Sequence, residues 1–195
     1  GGGWLAVAAR ADAANTFRPG ERLTFLYSGF PPPRGAGRHV FEARTRSSGA
    51  GTLVAVATAP AVTLAAGPAA GLEFVPGSAL ALGPLQTSAT MQLLLTDGCG
   101  NPAAAPAAVD AALAAGQAVP PAFVADSSAA FFLAGGAPAA AVTVASGATL
   151  SGGFYMRTAT SGVTSEHLRA SATVSGLTFQ ALRQVLLRAA SVAPT

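Results

Sequence analysis

Apolar positions fall at alternate residues in short runs along this chain, and glycine or proline closes most of the runs. Period-two runs bounded by turn residues predict strands. Before residue 65 they are Trp4 to Ala8, Arg22 to Tyr27, Arg38 to Arg46, Leu53 to Ala57 and Ala61 to Leu64. Beyond it they are Leu72 to Val75, Thr90 to Thr96, Ala108 to Leu113, Ala129 to Leu133, Ala140 to Ala145, Gly153 to Thr158, Glu166 to Val174 and Leu177 to Leu187. The strongest interruptions are Phe30-Pro31-Pro32-Pro33-Arg34-Gly35 and Asp97-Gly98-Cys99-Gly100-Asn101-Pro102. Proline removes a backbone donor there, and glycine or asparagine accepts a positive φ. Many short strands spaced by turns predict an all-β fold of the sandwich kind.

Alanine blurs two of these assignments. Ala107 to Ala115 and Leu177 to Ala190 score well as helix on intrinsic propensity. In the second stretch Phe179, Leu182 and Leu186 share a face if it is a helix. If it is a strand, Phe179, Ala181, Val185 and Leu187 share a side that also carries Arg183. Periodicity does not separate the two, and the strand pattern on either side favours strand.

The block Phe41-Glu-Ala-Arg44-Thr45-Arg-Ser47-Ser48-Gly49 returns 113 residues later as Phe154-Tyr-Met-Arg157-Thr158-Ala-Thr160-Ser161-Gly162. Upstream, Leu23-Thr24-Phe25 with Ser28-Gly29 parallels Val142-Thr143-Val144 with Ser146-Gly147. Two blocks repeated in the same order predict two copies of one unit. The expected organisation is a partial β unit over residues 1–64, a linker over 65–71 and a full β unit over 72–195. The first unit has too few residues before its repeated block, so it is incomplete at its N-terminus or takes strands from another segment or chain.

Thr96-Asp97-Gly98-Cys99-Gly100-Asn101-Pro102, following the alternating run Met91 to Leu95, resembles the Asp-x-x-Gly-Asn-Pro turn of bacterial Ig-like domains of the invasin and intimin type. The resemblance covers roughly Ala66 to Leu187. Ala66 to Phe74 looks like the lead-in to such a domain, and Val142 to Gly147, Phe154 and Leu168 to Ala172 look like its closing strands. Cys99 within the turn and the Ala/Pro-rich segment Val119 to Ala140 depart from the pattern. The resemblance implies tandem Ig-like antiparallel β-sandwiches used as rod segments in extracellular adhesins and surface fibres. In such a turn Asp97 accepts backbone hydrogen bonds, Gly98 and Gly100 permit the tight bend, and Pro102 after Asn101 is expected to block further ladder pairing.

Composition narrows the role. Charged residues make up 10% of the 195 residues and hydrophobic ones 51%, against roughly 25% charged in an ordinary soluble domain. A chain so apolar is not simply disordered. Its longest weakly polar run, Ala129 to Ala145, is broken by Gly135, Gly136, Pro138 and Thr143. A spanning helix needs about 20 predominantly apolar residues, so no membrane span is expected. Every basic residue is arginine and the net charge is only +3, which does not point to a nucleic-acid partner. With one cysteine, Cys99, and two separated histidines, neither an internal disulfide nor a metal site is expected, and no cofactor is implied. Asp97 has no second acid nearby, whereas Ca²⁺ takes about 6 to 8 oxygen ligands.

Ser165-Glu166-His167 holds triad-type residues, but neighbours on a strand point to opposite faces and form no relay among themselves. These residues and His39 read as solvated strand faces, and no enzyme activity is expected. Arg38, Arg44 and Arg46 share parity on one expected strand, with Glu42 between them and Arg34 in the loop before. Such a face can grip an anionic polysaccharide, although aromatic residues to stack on sugars are few. The scarcity of charge carries further, because soluble domains generally expose roughly 25–35% charged surface. The expected role is therefore a non-enzymatic extracellular structural module of a surface fibre, sheath or appendage. It packs through low-charge sheet faces against copies of itself or neighbouring domains of a longer chain. The alternative is an adhesin-type module that binds glycans through Arg34, Arg38, Arg44 and Arg46.

Overall fold

Side-chain alternation, rather than the helix propensity of alanine, sets the regular elements of this protein. The computed structural model describes residues 34–46, 50–77, 80–83, 85–119, 122–126, 129–158 and 165–187, and among these every regular element is a strand. The expected strands Trp4 to Ala8 and Arg22 to Tyr27 lie outside the described residues. Residues Arg34–Thr195 make up one compact unit.

The first strands, β1 (Gly37–Val40), β2 (Arg44–Thr45), β3 (Val54–Ala55) and β4 (Ala61–Leu64), nest into an antiparallel ribbon. Strand β1 pairs β4 with Arg38 opposite Thr63, and β2 pairs β3 with Arg44 opposite Ala55. The single strand expected over Arg38 to Arg46 is thus two, broken at Phe41 to Ala43. Phe41 N donates to Pro60 O at 2.8 Å and Val56 N to Ala43 O at 3.0 Å, which keeps the two sides together across the break.

From Gly71 the chain builds β5 (Gly71–Val75), β6 (Leu80–Leu82), β7 (Gln92–Thr96), β8 (Val109–Val119), β9 (Ala122–Asp126) and β10 (Ala129–Leu133). It continues with β11 (Ala141–Val144), β12 (Phe154–Thr158), β13 (Ser165–Val174) and β14 (Leu177–Leu187). One sheet has the order β11-β8-β13-β14-β6, with β9 also on β8. Both β11 and β9 fit on β8 because it is long: β11 pairs Val109 to Ala112 and β9 pairs Ala115 to Val119. All its pairings are antiparallel except β6 with β14. The β13–β14 hairpin closes through Ser175 (φ 49°) and Gly176 (φ 81°). Two successive positive φ values match the twist of the flanking strands and fix the register from Val174 opposite Leu177 to Ser165 opposite Leu186.

Two further ladders, β5–β7 and β10–β12, lie apart from that sheet. Met91 and Phe154 exchange backbone hydrogen bonds of 2.7 and 2.9 Å, and Ser88 Oγ accepts from Met156 N at 3.0 Å. These bonds set β7 beside β12, so that β5, β7, β12 and β10 follow one another. Leu72, Phe74, Leu93, Leu95, Phe154 and Met156 from this side join Ala111, Val144, Leu168, Ala170 and Val185 from the other in one buried cluster. The Phe74 and Phe154 rings meet at 6.4 Å and 57°, a tilted contact of about 0.5–1.5 kcal/mol beyond area burial. The two repeated sequence blocks occupy different settings: Phe154 is fully buried, whereas Phe41 is 44% exposed.

Candidate functional site

The turn after β7 gathers more polar contacts than any other turn among the described residues. Asp97 is buried, and both carboxylate oxygens are used. Oδ1 accepts from Cys99 N at 2.8 Å and Asn101 N at 2.9 Å, and Oδ2 accepts from Gly67 N at 2.9 Å. The Asn101 amide reaches both oxygens, at 3.1 and 2.9 Å. Asp97 N donates to Asn101 O and Gly100 N to Asp97 O, closing the loop on itself. Gly100 sits at φ 83°, a left-handed conformation that glycine takes without strain. Hydrogen bonds from the Asn101 side chain, Gly67 N, Asn101 N and Cys99 N hold the Asp97 carboxyl well below its usual range, outweighing the opposing effect of burial.

The same turn holds chain from far upstream. Asn101 Nδ2 donates to Arg34 O at 2.8 Å, and Ala36 N donates to Asn101 Oδ1 at 2.8 Å. The carboxylate thus anchors the segment between β4 and β5 at Gly67 and orients Asn101, and Asn101 anchors the bend at Arg34 to Ala36 that precedes β1. Ala70 N donates to Thr96 O at 2.7 Å, bringing the segment before β5 onto the end of β7. Gly71 is needed at that approach, because a Cβ there meets Thr96 Oγ1 at 2.6 Å. The expected role of Pro102 needs correction. Pro102 forms a bridge with Thr96, and Ala103 N donates to Leu95 O at 2.9 Å, so pairing continues past the proline. Proline lacks a donor but keeps its carbonyl, and the next residue supplies the N–H. Gly98 and Cys99 are exposed at the tip.

Arg34, Arg38, Arg44 and Arg46 are all exposed, but they do not line one strand. Arg38 belongs to the β1–β4 ladder and Arg44 to β2–β3, and Arg44 pairs with Glu42. His39 Nε2 donates to Gly35 O at 2.7 Å. In the Ser165-Glu166-His167 run, Glu166 points inward and is buried, while His167 lies half-buried on the other face. Glu166 is therefore not part of a solvated face; strand parity with Leu168 and Ala170 carries it inward. Arg183 faces the same way, buried among Ala181 and Val185, and burial lowers its pKa. With Glu166 opposite Val185 and Leu168 opposite Arg183, the two charges are diagonal neighbours across the hairpin.

An open groove of about 490 Å³ runs between β5 and β14, lined by Leu72, Phe74, Gly77, Gln180 and Gln184, with Glu73 and Arg183 as its charged groups. Among the described residues no three His, Cys, Asp or Glu side chains gather where a metal ion could bind, and no helix is long and apolar enough to cross a membrane. What the Asp97 turn offers chemically is position: an ionic acceptor for the backbone donor at Gly67, and the Asn101 amide for the backbone of Arg34 and Ala36.

No protein-family model matches the chain, and no curated protein matches it. Among solved structures, the human F-spondin reeler domain aligns with 62% of this chain and 91% of its own length, at 11% identity and a TM-score of 0.37.

Proposed function

We propose that residues 71–187 are an Ig-like β-sandwich and that the chain is a non-enzymatic structural module of an extracellular fibre, sheath or appendage. Ig-like sandwiches of the constant type carry strands A, B, E and D in one sheet and C, F and G in the other. Read in chain order, β5, β7, β12 and β10 take the first set of places and β8, β13 and β14 the second. The ribbon β1–β4 is the trailing part of a preceding unit in a tandem array. Scarce charge, at 10% of residues, fits faces that are covered in the assembled state.

The observation that carries this reading is the Asp97 turn at the end of β7, which joins the linker and the bend leading into the ribbon through side-chain hydrogen bonds. A rod that bears tension needs such a joint between successive units. Single-molecule stretching of the 195-residue chain tests it. The ribbon is expected to detach at a resolved force, and Asp97→Ala to lower that force while leaving the main unfolding event in place. Extension of the ribbon at negligible force in the unsubstituted chain contradicts the joint.

A further inference from the structure

We propose that the outward face of the sheet formed by β8, β13 and β14 is where the chain binds a second copy of itself, in a two-fold symmetric pair. This names the partner surface for the self-association in the functional reading above and rests on that reading.

Among the described residues the face is nearly uncharged, with small residues at its middle. At its middle Ala112 stands opposite Ser171, and exposed Leu182 lies beside Arg169 one row further along. Its charged groups are Asp110 and Arg169, displaced from the Ala112–Ser171 row in opposite directions by two residues each. They are separated by four residues along the strands, about 13 Å, so they do not neutralise each other within one chain. Asp110 accepts from Thr143 Oγ1 at 2.6 Å, which leaves its second oxygen for another donor. Arg169 lies over the Phe123 ring, 4.4 Å from its centre, so the guanidinium plane is fixed and its N–H edge remains for a carboxylate.

A two-fold axis lying between two such faces, passing between Ala112 and Ser171, carries each Asp110 onto the partner's Arg169. Strand spacings of about 4.8 and 3.3 Å then give a crossing of about 40° between the stacked strands, close to the roughly 30° at which sheets pack. Three strands of about ten residues, with the short β11 and β9 together flanking β8, offer a footprint of about 600 Å², near the roughly 800 Å² per partner of a standard interface once side-chain relief is added. Alanine and serine at the centre let the two backbones approach, and the displaced charges set the register.

Sedimentation equilibrium of the 195-residue chain over a roughly hundredfold concentration range, with circular dichroism to verify strand content in each variant, decides the matter. Self-association is expected. Ala112→Arg should weaken it by about tenfold or more. Asp110→Arg alone should weaken it comparably, and the exchange Asp110→Arg with Arg169→Asp should restore it, which a loss of folding does not do. If the unsubstituted chain associates while Ala112→Arg and Asp110→Arg leave it unchanged, this face is the wrong one and self-association stands. If association is lost in the single variants but not restored by the exchange, the two-fold register is wrong. If the unsubstituted chain is monomeric throughout, the self-association reading fails as well.

Discussion

Asp97 concentrates the chemistry of the site in one carboxylate. Its folded-state pKa lies below that of an unfolded aspartate, about 3.9, because the ionised form accepts four groups of donors. The stabilisation it supplies is therefore fully present above that pH and is lost as the pH falls toward the depressed folded value. Urea midpoints measured from neutral to strongly acid pH should fall below about pH 4, and Asp97→Asn should have a lower midpoint at neutral pH and a flatter acid limb. A second residue-scale constraint is steric. A methyl group at Gly71 meets Thr96 Oγ1 at 2.6 Å, and Thr96 is itself buried. Gly71→Ala should destabilise by about 1–3 kcal/mol in urea unfolding, and less when combined with Thr96→Ala, which removes the opposing atom.

At the scale of elements the β13–β14 hairpin shows what buried charge does to a strand pair. Glu166 and Arg183 face inward on adjacent strands, one diagonal step apart. Replacing one leaves the other charge buried, at a cost of about 3–5 kcal/mol, whereas replacing both with apolar residues is often far less costly. A double-mutant cycle of Glu166→Leu and Arg183→Met in urea should therefore show strong coupling; additive losses contradict it. This hairpin was legible only in part, since both runs read as strands from their surroundings while periodicity left Leu177 to Ala190 open between helix and strand, and only the strand alternative put Arg183 on the side of Ala181 and Val185. Strands built from alanine were not. Expected β8 stopped at Leu113 and continues to Val119, because Ala114-Ala115-Gly116 offers no contrast between faces, and its inward side shows only once β13 pairs with it. Strands β6 and β9 were missed for the same lack of alternation. The Asp97 turn was legible as a turn, but its partners Arg34, Ala36 and Gly67 are some 30 to 67 residues away in sequence, and no local pattern announces them.

At the largest scale among the described residues, one polar joint ties an antiparallel ribbon to a charge-poor β unit. The ribbon has little of its own to hold it: Val40, Leu53, Val54 and Val62 are exposed, and two-stranded ribbons are marginal alone in water. Its attachment depends on the bonds that Asp97 and Asn101 make to Gly67, Ala36 and Arg34. Amide hydrogen exchange resolved by residue tests that dependence most directly. The account predicts that Ala36 and Gly67 amides are protected in the unsubstituted chain, and that Asp97→Ala removes their protection while Ala111 to Ala115 in β8 stay as slow as before. Unprotected Ala36 and Gly67 amides in the unsubstituted chain, or protection unchanged in Asp97→Ala, contradict it.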